Sequence, residues 1–70
     1  MPDNTQMFKD GIIKAEADLV LLAGKREAAF AQLADAAQET RDFVLNNIDG
    51  QIAQANDIIE SFTWALENPI

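Results

Sequence analysis

Seventy residues allow one small core, which rarely supplies more than about 3–5 kcal/mol without a metal, a disulfide or a partner. The chain has no cysteine, histidine or tyrosine, and Ser61 is its one serine, so disulfides, thiol nucleophiles and serine–histidine pairs cannot be assembled. Twelve acidic against five basic residues give a net charge of −7, which opposes phosphate backbones and anionic lipid surfaces and argues against direct nucleic-acid binding.

The segment Met1-Pro2-Asp3-Asn4-Thr5-Gln6 lacks the basic stretch and apolar run of a secretory signal. The expectation is a protein of the cytoplasm, or of a particle assembled inside a cell. Asp3, Asn4 and Thr5 offer helix N-caps just after Pro2, and Asn68-Pro69 is a stop signal at the other end. Between the two prolines β-branched alternation is absent, and the expected class is all-α.

In chain order, Phe8, Ile12, Ala15, Leu19 and Leu22 keep the alternating four-three spacing of a coiled-coil seam. Arg26 takes the next seam position, and Ala29, Leu33 and Ala36 continue the row more weakly. A second row, Ile13, Ala17, Val20, Gly24, Ala28 and Ala31, is mostly small and would let a neighbouring helix approach closely. The run Leu19-Val20-Leu21-Leu22-Ala23 is the longest apolar stretch, far short of the ~20 residues that span a bilayer. It points all round a helix, which marks an interior segment. Lys25-Arg26-Glu27 supplies no cap for a new helix, so the first helix is expected to run through Gly24. The alternative is a compact three-helix bundle with a break near Gly24.

Asn46, Asn47, Asp49 and Gly50 suit a helix end followed by a new cap, and the turn is expected at about 47–50. Against that, Ile48 and Ile52 keep helical spacing across Gly50. The row Ile52, Ala55, Ile59, Phe62 and Leu66 then defines an amphipathic helix, with Gln54, Asp57 and Glu60 turned away. The expectation is thus one helical domain: a long first helix over about 5–46, a turn, and a shorter helix over about 51–67. So short a second arm leaves Ile12 to Leu22 uncovered, which asks for another chain.

Catalysis is not expected, because the remaining carboxylates fall on faces that should be wet. No cofactor or metal is expected either. The pairs Glu39/Asp42 and Asp57/Glu60 lack the Glu-x-x-His motif of carboxylate-bridged metal bundles, and Gly11, Gly24 and Gly50 stand too far apart for a phosphate loop.

The function this implies is a structural or adaptor role in a homo-oligomer or on a larger assembly such as a small virion or complex. Its protein interface would use Ile12, Ile13, Leu19, Val20, Leu22 and Trp64. Trp64 lies about 140° round the helix from Ile59, among carboxylates, where an exposed aromatic can anchor a partner. A second reading is an acidic inhibitor or DNA mimic that occupies a basic site on an enzyme, with Asp35, Glu39 and Asp42 on one helix face.

Overall fold

The computed structural model describes residues 4–68, and Asp3, Pro2 and Pro69, named above as cap and stop signals, lie outside them. Two helices make up the described chain: α1, Thr5–Gln32, and α2, Gln38–Glu67. They pack along their lengths as an antiparallel hairpin measuring 55 × 16 × 15 Å. No strand occurs among the described residues.

The all-helical hairpin is as expected, but its turn is not at 47–50. The chain reverses at residues 33–37, and α2 passes through Asn46, Asn47 and Gly50 without interruption. The long first arm and short second arm are replaced by helices of 28 and 30 residues. Local chemistry does not explain the turn, since Leu33-Ala34-Asp35-Ala36-Ala37 contains neither glycine nor proline. The seam explains it. Continued past Ala36 in unbroken phase, the α1 row would run through Thr40, Phe43, Asn47, Gly50, Gln54 and Asp57, which are mostly polar. The apolar row of α2 runs instead through Leu45, Ile48, Ile52, Ala55, Ile59, Phe62 and Leu66. The phase slips between Ala36 and Leu45, so both rows face one partner only if the helix breaks in that interval. Packing of Leu45, Ile48 and Ile52 outweighs the roughly 0.5–1 kcal/mol that each asparagine or glycine costs inside α2.

The turn is built from backbone. The Leu33 N–H donates to the Ala29 carbonyl at 2.9 Å and the Ala36 N–H to the Leu33 carbonyl at 3.0 Å. Ala37, with φ −59° and ψ 146°, is extended, and its carbonyl accepts from the Arg41 N–H at 3.1 Å to open α2. Helix α1 continues through Gly24 as expected, with no break there.

With α2 lengthened, Leu19 and Leu22 gain a cover within the chain. Ala15, Leu22 and Ala55 are buried in the seam, and no described side chain is less than 2% exposed. At one end the Phe8 and Phe62 rings stack with centroids 5.2 Å apart and planes tilted by 48°. Nearer the turn, Arg26 Nε donates to Asp49 Oδ1 at 2.7 Å and Arg26 Nη2 to Asp49 Oδ2 at 3.4 Å, which sets the register of the two helices. Both side chains are 45% exposed, and this is the one ion pair among the described residues. The hydrogen bond that Arg26 donates to Asp49, and then the charge of that carboxylate, hold the Arg26 pKa above its ordinary value.

Candidate protein-docking face

Once the seam faces α2, the helical period decides what α1 turns outward. Ile13, Val20 and Leu21 are 64%, 74% and 64% exposed. They lie on the side of α1 away from the seam, with Ala17, Gly24 and Ala28 between and beyond them. A protein surface carries single exposed apolar side chains routinely, whereas several on one helix face form a patch that marks an interaction site. Gly24 has open space where a Cβ would be, so no described residue covers this face there.

Ile12 and Leu19, expected at an interface with another chain, are half-buried toward α2, and Leu22 is buried in the intramolecular seam. Ile13 and Val20 are outside it. Leu21 completes the outer patch; its exposure follows from standing one residue before the seam position Leu22.

The outer face of α2 differs. Helix α1 carries Lys9, Lys14, Lys25 and Arg26 against Asp10, Glu16, Asp18 and Glu27, for a net charge of zero. Helix α2 carries Arg41 against Glu39, Asp42, Asp49, Asp57, Glu60 and Glu67, for a net charge of −5. Five of the seven excess negative charges of the chain therefore belong to α2. Two aromatics project from that helix: Phe43, 74% exposed, and Trp64, 62% exposed. Trp64 lines a shallow open depression with Asp57, Glu60 and Ser61, where the helical period places it. The last turn that carries it is closed by Asn68, whose backbone N–H and side-chain Nδ2 both donate to the Trp64 carbonyl at 2.9 Å.

Asp35, Glu39 and Asp42 are all exposed, but they do not share a helix face as expected. Asp35 lies in the turn and only Glu39 and Asp42 belong to α2, because the helix breaks at 33–37. Among the described residues, no group of three acidic side chains is placed to hold a metal ion. No described helix is long and apolar enough to cross a membrane.

The fold is that of an antiparallel two-helix hairpin with one neutral apolar outer face and one acidic outer face. No family model, no curated protein and no solved structure matches the chain.

Proposed function

We propose that this chain is a non-catalytic assembly module that docks through the outer face of α1. The observation that carries the reading is the exposure of Ile13, Val20 and Leu21 together on the helix side that α2 leaves uncovered. Burying each of them would contribute on the order of 1.5–3 kcal/mol, a large sum beside the thin seam of the hairpin alone. An adaptor or a structural subunit of a larger complex fits these features. Trp64, exposed on the opposite side, offers a second contact.

The test is mass in solution by sedimentation, for the parent chain and for Val20→Glu. Concentration-dependent association that Val20→Glu removes, with helicity retained, is the expected result. A parent that stays monomeric at every concentration, with a mass identical to that of Val20→Glu, overturns the reading.

The acidity of α2 favours a second reading, in which Glu39, Asp42 and their neighbours along α2 occupy a basic site on an enzyme. Such binding would weaken steeply with salt, because it uses the electrostatics by which DNA binds. Docking through Val20 and Leu21 would tolerate salt.

A further inference from the structure

We infer that the partner of the α1 outer face is a second copy of this chain, packed with its α1 antiparallel across a two-fold axis at Leu21. The inference rests on the assembly reading above and adds the occupant and its register.

Charge selects the occupant. An α2 helix of net charge −5, which keeps five carboxylates besides the Asp49 paired to Arg26, opposes a second α2 helix, whereas two α1 helices of net charge zero meet without that repulsion. A symmetric α1–α1 contact is also closed, since the same patch is used by both chains and no further copy is recruited.

Charge also selects the direction. Asp18 and Lys25 are seven residues apart, so they lie on the same side of α1, flanking Leu21. Neither has an ion-pair partner among the described residues. Together with Leu21 and Leu22 of α1 and Gln51, Gln54, Ala55 and Ile58 of α2 they line an open groove along the edge where the two helices meet, and Ile58 is 37% exposed in it. In an antiparallel pair centred at Leu21, Asp18 of each copy meets Lys25 of the other, giving two opposite-charge contacts. A parallel pair would set Asp18 against Asp18 and Lys25 against Lys25. In the antiparallel register centred there, Leu21 meets Leu21 at the axis with Val20 beside it, and Ala17 of one copy comes within one residue of the level of Gly24 of the other, so the bulky side chains gather at the axis and small ones flank them. The product is a four-helix arrangement with α1 helices inside and the acidic α2 helices outside.

The chain has no cysteine, so introduced thiols report the register directly. Leu21→Cys should cross-link to itself under mild oxidation. Ala17→Cys and Gly24→Cys should cross-link when mixed, and neither should do so alone. Asp18→Lys and Lys25→Asp should each weaken self-association about tenfold, because each sets like charges opposite one another, and the double exchange in one chain should restore it. All five positions are exposed on α1, and far-ultraviolet circular dichroism checks that each variant keeps its helices. Association in which Ala17→Cys cross-links to itself, or which ignores both charge reversals, overturns the second-copy register while leaving the assembly reading standing. A parent chain that is monomeric throughout overturns both.

Discussion

The Phe62 ring lies on the backbone of Gly11, so close that a Cβ at position 11 would overlap its Cδ2 and Cε2 atoms. Gly11 is therefore what lets α2 approach α1 beneath the Phe8–Phe62 stack. Alanine favours helix over glycine by up to about 1 kcal/mol, but forcing an aromatic ring out of a packed seam costs typically 1–3 kcal/mol. Gly11→Ala should thus lower the melting temperature. Gly24 and Gly50 have open space at the Cβ position, and no described residue has a positive φ. Gly24→Ala and Gly50→Ala should each add about 0.5–1 kcal/mol in urea unfolding. A destabilised Gly50→Ala would show that α2 is not helical there.

Leu21 and Leu22 are neighbours in sequence with opposite surroundings, 64% and 8% exposed. Leu22→Ala should lower hairpin stability by about 2–3 kcal/mol, the lower end for buried leucine because the seam is thin and can partly collapse. Leu21→Ala should change the stability of the dissociated chain by no more than about 0.5 kcal/mol while weakening association. Unfolding below the association threshold, paired with sedimentation above it, separates the two effects. Equal losses of monomer stability would place Leu21 in the core.

The seam of α1 was legible: Phe8, Ile12, Ala15, Leu19, Leu22 and Ala29 are buried or half-buried on the side that meets α2, and Leu33 continues the row just past the helix end. The row from Ile52 to Leu66 was legible for the same reason, that hydrophobic period survives in any tertiary context. The turn was misplaced because Asn46, Asn47 and Gly50 carry strong local signals, whereas residues 33–37 carry almost none. The signal present was the phase slip between Ala36 and Leu45, visible only when both rows are extended toward each other. That error also assigned Leu19 and Leu22 to an external partner, since a short second arm could not reach them. The outward position of Trp64 was legible from angle alone, while the split of charge between the helices became visible only with the true turn.

Arg26 stands at an apolar seam position and turns to Asp49 instead, with its pKa raised first by that hydrogen bond and then by the carboxylate charge. A raised pKa means the contribution is complete below the ordinary guanidinium value and is lost only as pH climbs through the higher one, in strongly alkaline solution. With no histidine, cysteine or tyrosine in the chain, the melting temperature should be flat across pH about 6–9. Arg26→Leu, which continues the seam between Leu22 and Ala29, should raise the melting temperature and remove its salt dependence at this site. A fall in melting temperature with Arg26→Leu would show that the ion pair contributes more than the apolar contact replacing it.

Trp64 is the chain's one tryptophan and lies on the acidic side of the hairpin, opposite Val20 and Leu21. Its fluorescence therefore reports which face is used in assembly. At 62% exposure in the single hairpin, with its backbone carbonyl held by Asn68, the indole should emit as a solvated ring on a well-formed helix. If copies join through α1, the α2 faces remain in solvent, and the emission maximum should stay unshifted across the concentration range in which mass doubles. Trp64→Ala should likewise leave both self-association and melting within about 0.5 kcal/mol of the parent, as surface substitutions do. A blue shift that tracks the mass change, or a loss of about 2 kcal/mol or more in association on Trp64→Ala, would identify Trp64 as an interface anchor and move the contact from α1 to α2.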